Sequence, residues 1–294
     1  MSNGMERRLL SGIPTLYLMV FFAIPSLMMM LSSFGYPGEY AGLAPLWTRD
    51  ADGLHPDLTL ENYQRLISET AYAGLFLKSI AYAVVTTLLC FLAAYPVALL
   101  IARSPVKYRA ALVLLVILPF WSNFLIRVYA WMIVLGPQAA LNSMLNVLLA
   151  NLGMEPVAIL FSPAAVLLGL VYVHLPFMIL PLYANLEKHP PALLDAARDL
   201  GANRWQRFWS ITWPLSLPGV YAGSALVFIP AFGAFAVPDI LGGTDGIMIG
   251  NLISQQFLAA RDWPFGSALS VALIVLVLAF AAVAARMART PGHG

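Results

Sequence analysis

The sequence contains few charged residues. Only 10% of its 294 residues are Asp, Glu, Lys or Arg, while 61% are hydrophobic. The mean hydropathy of +0.81 lies far outside the range of soluble globular domains. The sixteen basic residues are scattered, and a net charge of +2 is too small to favour nucleic acid as a partner. These scarcities indicate an integral membrane protein in contact with lipid.

Cysteine and the common catalytic motifs are scarce as well. Cys90 is the only cysteine, so no internal disulfide can form. The four histidines are too far apart to suggest a metal site, and neither H-E-x-x-H nor G-x-S-x-G occurs. None of the three lysines follows a glycine, which excludes a Gly-Lys phosphate-binding loop. We therefore expect no metal and no cofactor on this chain.

Long apolar runs dominate what remains. A hydrocarbon core of ~30 Å requires a helix of about 20 apolar residues, and six regions meet that requirement. They are residues 9–38, 79–102, 110–126, 156–186, 208–238 and 263–285, the third continuing past Arg127 to about residue 135. We interpret the first as a retained helix, because it is longer than the apolar region of a signal peptide and has no clear cleavage site. The sequence predicts an all-α membrane protein with six transmembrane helices.

Basic residues fall unevenly between the loops. With the N-terminus inside, 11 Lys and Arg residues lie on the inner side and four on the outer side. Basic loops are retained in the cytoplasm. The bias therefore predicts that both termini are cytoplasmic and that the segment 187–218 lies on the cytoplasmic face.

Three segments on the predicted outer side favour short helices. Residues 58–67 have Thr59 as a possible N-cap, and residues 140–153 carry leucines at helical spacing with the asparagines elsewhere. A turn with a cap at 242–245 precedes a third helical segment at 248–260. Such helices either seal the rim of a membrane protein or dock an outer partner, and the sequence leaves both open.

The charged stretch DAARDLGANRWQRFWSITWPLSLP, residues 195–218, is strongly punctuated. Just before this stretch, Pro190 and Pro191 begin a short helix. Its apolar face consists of three leucines and an alanine, and Gly201 ends it in a left-handed conformation. A second short helical piece at 203–208 precedes Pro214 and Pro218, which return the chain to the membrane. The pattern predicts a rigid two-helix projection rather than a simple connecting loop.

This stretch resembles the coupling motif E-A-A-x3-G-x9-I-x-L-P of permease subunits of type I ABC importers. Asp195 replaces the Glu of that motif and Trp213 its Leu, while the spacing matches throughout. Three more segments resemble the spermidine/putrescine branch of the family, in particular the first of its two permeases. They are LPFWSNFLIRVYAW (118–131), GLVYVHLPFMILPLYANLEK (169–188) and IGNLISQQFLAARDWPFG (249–266).

The resemblance implies a single transmembrane permease domain over residues 1–294, in the bacterial inner membrane, with a cytoplasmic coupling loop at about 187–218. It implies a second permease in a heterodimer, two copies of an ATPase subunit that bind ATP and Mg²⁺, and a soluble binding protein that delivers polyamine. The chain itself would then be a non-catalytic subunit. The residues expected to couple it to the ATPase are Asp195, Ala196, Ala197, Arg198, Gly201, Arg204, Ile211 and Pro214.

Polar and aromatic side chains inside the predicted spans are candidates for the substrate path, because a polar group is costly to place in lipid. His174 lies near the middle of the fourth helix, where it either binds a ligand or forms a helix–helix hydrogen bond. Asp239, near the outer end of the fifth, either meets a cationic substrate or pairs with Arg127. The candidates are Asp239, Asn123, Arg127, Tyr172, His174 and Phe235.

Other functions remain open at this stage. A permease for another small solute would share the same architecture. A self-contained channel or secondary transporter usually couples through carboxylates near the membrane centre, and none of the six runs holds one there. A membrane enzyme would need a convergent set of nucleophile or metal-binding residues, which is not evident.

Overall fold

The computed structural model describes residues 12, 14–39, 41–50 and 53–288, which are mostly helical. The chain divides into two compact units, Met1–Gly74 with Leu252–Leu276, and Leu75–Asn251 with Val277–Gly294. The elements are α1 (Pro14–Ser32), the antiparallel strands β1 (Trp47–Asp50) and β2 (Gly53–Pro56), α2 (Glu61–Ser68), α3 (Thr70–Arg103), α4 (Val106–Ile117), α5 (Phe124–Val134), α6 (Ala140–Asn151), α7 (Pro163–Leu186), α8 (Pro191–Asp199), α9 (Arg204–Phe232), α10 (Ala236–Leu241), α11 (Ile249–Leu258) and α12 (Trp263–Ala288).

Five helices in the described part of the chain are long and apolar enough to cross a membrane, namely α1, α3, α7, α9 and α12. A sixth span exists if α4 and α5 are counted together, but they are bent by 88° with respect to each other. The prediction of a continuous third helix to about residue 135 is therefore wrong. The chain leaves the helix in a 3-10 turn at Leu118–Trp121, and the Asn123 side chain then caps a new helix by accepting a hydrogen bond from Leu125 N at 2.8 Å.

Glycines bring α7 and α9 into close contact. A Cβ on Gly223 would lie 2.7 Å from Met178 Sδ, and one on Gly219 would lie 2.8 Å from Asn185 Cβ. Side chains larger than hydrogen at these two positions would therefore separate the helices. Small residues serve the same purpose at many helix crossings in membranes, where close packing replaces the hydrophobic effect.

The helix α9 differs from prediction at both ends. Asn203 and Gln206 form a reciprocal capping box, and the helix then continues through a π-helical segment at Phe208–Thr212 into the membrane-spanning part. The second short helix predicted at 203–208 is thus the first turn of a long helix, which Pro214 and Pro218 do not interrupt. At the other end the helix stops at Phe232, so the last six residues of the predicted span 208–238 lie beyond it.

The three segments predicted to lie on the outer side form the short helices α2, α6 and α11, with the following differences. The hairpin of β1 and β2 was not anticipated. In α6 two of the three asparagines bond to the neighbouring chain: the Asn142 side chain donates to Pro137 O at 3.2 Å, and Asn146 Oδ1 accepts from Val157 N at 2.9 Å. Three of the leucines at helical spacing, Leu141, Leu148 and Leu152, are exposed.

The predicted cap at 242–245 is also different. Those residues form the expected turn, but the side chain that accepts the hydrogen bond before α11 is Asn251, from Met248 N at 3.1 Å. The helix α2 begins at Glu61 with Leu60, and not the predicted Thr59, at its N-cap position, although Thr59 Oγ1 accepts a hydrogen bond from Glu61 N at 3.1 Å.

Candidate functional site

The coupling segment is defined here as residues 187–218, and its first helix is α8. This helix ends in two hydrogen bonds that close its last turn, from Gly201 N to Arg198 O at 2.9 Å and from Ala202 N to Ala197 O at 2.9 Å. This pattern requires a left-handed residue, and Gly201 has a φ of +81°. The predicted left-handed glycine is confirmed, and it fixes the angle at which the chain leaves α8 for α9.

The base of α8 is attached to the membrane helices through polar contacts. Arg109 forms an ion pair with Glu187 at 3.2 Å, and its Nε donates to Ser104 O at 2.9 Å. His189 Nε2 bonds to Leu215 O at 3.1 Å, which connects the start of the segment to α9. The attachment therefore involves the end of α3, the start of α4 and the first part of α9.

A cavity of about 370 Å³ lies between α8 and these helix ends. Ile211 lines it together with Pro190, Pro191, Leu193 and Leu194. Ile211 is thus an internal contact of the projection rather than part of its outer surface. Side chains of α8 and of the first turns of α9 thus face the same cavity.

The other predicted coupling residues divide by exposure. Asp195, Ala196, Arg198, Gly201, Arg204 and Pro214 are exposed, whereas Ala197 is half-buried. Two apolar side chains that were not predicted as coupling residues are also strongly exposed, Leu200 at 88% and Trp205 at 71%. Apolar residues in an otherwise polar stretch were the signal that could have identified them, but Leu200 had been assigned to a packed face.

Aromatic rings hold the first part of α9 against α3. Tyr95 on α3 contacts Phe208 and Trp213, with ring centroids 5.8 Å apart in both pairs. Its hydroxyl group also shares a hydrogen bond of 3.1 Å with Ser216 Oγ. The contacts flank the π-helical segment, so the helix is secured to its neighbour at the point where its hydrogen-bond pattern changes.

The second candidate region is the break between α9 and α10. Here a cavity of about 400 Å³ is lined by two predicted path residues, His174 and Phe235. His174 is only 6% exposed, and its Nδ1 lies 2.8 Å from Leu170 O in the preceding turn of α7. Phe235 is 53% exposed, and its backbone carbonyl accepts a hydrogen bond from the Asn251 side chain at 2.9 Å.

The remaining predicted path residues are placed differently. Asp239 is exposed in the first turn of α10. Arg127 does not pair with it: the guanidinium donates to Pro119 O at 2.7 Å and lies over the Phe120 ring at 4.8 Å. Tyr172 packs edge-on against Trp131, with centroids 5.4 Å apart. The arginine, like the helix cap at Asn123, therefore stabilises the bend between α4 and α5.

Several proteins are similar to this chain. A family model described as "Binding-protein-dependent transport system inner membrane component" matches residues 70–290. The spermidine/putrescine transport system permease protein PotB of Haemophilus influenzae is 42% identical over 264 residues, which cover 89% of this chain and 86% of that protein. The inner membrane ABC transporter permease protein YdcU of Escherichia coli is 34% identical, covering 79% of this chain and 77% of its own.

A solved structure supports the same fold. It is a bacterial ABC transporter involved in the import of the acidic polysaccharide alginate, and it matches 98% of this chain and 98% of its own with a TM-score of 0.74. At a sequence identity of 18%, this match shows the fold alone. The sequence relatives and the apolar helices together place this chain in the bacterial inner membrane as a multi-pass protein. It belongs to the family of binding-protein-dependent transport system inner membrane components, as a permease subunit of an ABC transporter.

Proposed function

We propose that this chain is the permease subunit of a polyamine importer and that it carries spermidine or putrescine across the inner membrane. The observation that carries the proposal is the 42% identity, over 89% of the chain, to a permease named for spermidine/putrescine transport. The name of YdcU gives no substrate, so the alternative is a permease for another small solute.

In this proposal a second permease completes the path, and a soluble binding protein delivers the substrate from outside. ATP with Mg²⁺ is bound and hydrolysed by two copies of a separate ATPase subunit. The coupling segment lies on the cytoplasmic side, as do both termini, and its exposed surface from Asp195 to Trp205 meets the ATPase. Arg198 and Arg204 would lie near acidic groups of that subunit, and the exposed Leu200 supplies an apolar contact.

The geometry of the coupling segment supports a transmitting role. The ends of α8 are fixed by the hydrogen bonds at Gly201 and by the ion pair of Arg109 with Glu187. From Arg204 a single helix leads to Phe232, next to the cavity lined by His174. Movement of the projection when the ATPase closes would therefore reach the far end of α9 without crossing a loop.

The test of this function is transport by the reconstituted complex. Proteoliposomes containing both permeases and the ATPase, supplied with the binding protein and ATP, should accumulate radiolabelled spermidine. Omission of any one subunit should abolish accumulation, because the proposal assigns substrate delivery, half of the path and ATP hydrolysis to the other subunits. Uptake that persists without the ATPase would instead support a channel or secondary transporter.

Asp239 is proposed to attract the cationic substrate near the outer end of the path. Asp239→Asn should reduce polyamine uptake while the yield of assembled complex stays normal, because the carboxylate is exposed and forms no ion pair with Arg127. Uptake and complex yield should be measured for this variant, for Arg127→Gln and for the double variant. Loss of assembly, or recovery of uptake in the double variant, would contradict the substrate role.

A further inference from the structure

The cavity at the break between α9 and α10 has one polar side chain in its wall. Ten residues line it, and of these only His174 carries a nitrogen or oxygen atom in its side chain. Two aromatic residues, Phe124 and Phe235, are among the other nine. His174 is the twelfth of the 24 residues of α7, so the cavity lies near the middle of that span.

The hydrogen bond of His174 fixes the chemistry of its ring. Leu170 O, 2.8 Å from Nδ1, is a carbonyl oxygen and can only accept, so Nδ1 must carry the proton. In the neutral ring Nε2 then has a free lone pair and no hydrogen. No hydrogen bond joins Nε2 to any residue that the structure describes. The side chain therefore offers an acceptor, and not a donor, to whatever enters the cavity.

The wall of the cavity restricts the ligand further. A neutral acceptor cannot stabilise a carboxylate or phosphate, which need donors, but it suits an ammonium N–H group. The exposed ring of Phe235 adds an aromatic face, to which a cation is attracted within ~6 Å of the centroid. The aliphatic wall formed by Val173, Ala234 and Val237 matches the methylene groups between amines.

We infer that this cavity is a transit site for one aminoalkyl end of the substrate, with His174 Nε2 accepting a hydrogen bond from the ammonium group and Phe235 covering the cation. This inference rests on the proposed polyamine transport and assigns to it a place within this chain. A single neutral acceptor holds an ammonium group weakly, which suits a site that the substrate must leave. The site is distinct from Asp239, which does not line the cavity.

The experiment compares variants of the complete complex in proteoliposomes, measuring spermidine uptake and ATP turnover together. His174→Phe keeps a planar ring but removes the acceptor, and should slow uptake about tenfold, the order expected for one hydrogen bond to a charged group. His174→Gln provides a carbonyl oxygen near the position of Nε2 and should stay within about threefold of the wild type. ATP turnover stimulated by the loaded binding protein should change little in either variant.

Two further variants test the site if His174→Phe fails to assemble. Phe235→Leu, at a largely exposed position, should slow uptake several-fold because the aromatic face is lost. Tyr221→Phe is the control, since it removes a hydroxyl from α9 in a different cavity, lined also by Val84 and Phe280. It should leave uptake unchanged.

Normal uptake by Phe235→Leu or His174→Phe would overturn the inference. So would an equal loss in His174→Gln and His174→Phe, which would show that the shape of the ring matters rather than its acceptor. If the wild-type complex moved no polyamine, the proposed function would fail and the inference with it, an outcome distinct from wild-type transport with insensitive variants.

Discussion

The left-handed residue at the end of α8 allows a sharp test of the coupling segment. Gly201 has a φ of +81°, and a Cβ at this position would meet no atom within 4 Å. The cost of a substitution is therefore one of backbone conformation and not of packing. An L-residue in the left-handed region loses about 1–2 kcal/mol, and a β-branched residue such as valine lies at the upper end.

A loss of this size reduces the population of the native turn about 5–30-fold relative to its alternatives. Gly201→Val should therefore lower spermidine uptake per ATP hydrolysed at least several-fold in the reconstituted complex, while the membrane helices remain folded. Gly201→Asn should retain most of the uptake, because asparagine tolerates this conformation better than other residues with a side chain.

Gly153 provides a matched control for this substitution. It has a φ of +73°, and a Cβ there would also meet nothing within 4 Å, but it follows α6 and lies far along the chain from the coupling segment. Gly153→Val should carry the same local strain without loss of coupling. Equal effects of the two valine variants, or normal uptake by Gly201→Val, would refute the role of the turn in coupling.

Two further predictions concern topology and packing. In a cysteine-free background, a single cysteine at Asn203 should react with an impermeant thiol reagent only after the inner face is exposed, and one at Asp57 should react from outside; the reverse would overturn the proposed orientation. Gly223→Val should lower the yield of folded protein, since overpacking of this kind costs about 1–3 kcal/mol. Gly74→Val, where the added side chain meets nothing within 4 Å, is its control and should express normally; equal yields would contradict close α7–α9 packing.

The membrane-spanning helices could be predicted because the signal needed for them is local. A run without charges must be helical in lipid, where every backbone polar group requires an internal partner, and this holds wherever the helix packs. The same rule did not reveal the bend after α4. The apolar run continues through it, and the only local signs were Pro119 and the capping residue Asn123, which are compatible with a kinked helix as well.

The coupling segment contains one feature that the sequence could predict and one that it could not. Gly201 could be predicted as left-handed because the requirement lies in one residue. The continuity of α9 could not, because Pro214 and Pro218 usually mark a helix end, whereas here the helix continues while packed against α3 and α7. The cavity at His174 likewise depends on how α5, α7, α9 and α10 meet, which no local pattern encodes.

The π-helical segment Phe208–Thr212 has a consequence for how this chain tolerates insertions and deletions. A π-helical turn holds about one residue more than an α-helical turn, so removing one residue here would restore ordinary helix geometry and leave the angular positions of the residues that follow nearly unchanged. Gly219 and Gly223 would therefore still face α7, whereas a deletion in the regular helix after Thr212 would turn them by about 100°. The number of residues between Thr212 and Gly219 therefore determines which side of α9 faces α7. The π-helical segment is thus the place in this stretch where the loss of one residue can be absorbed.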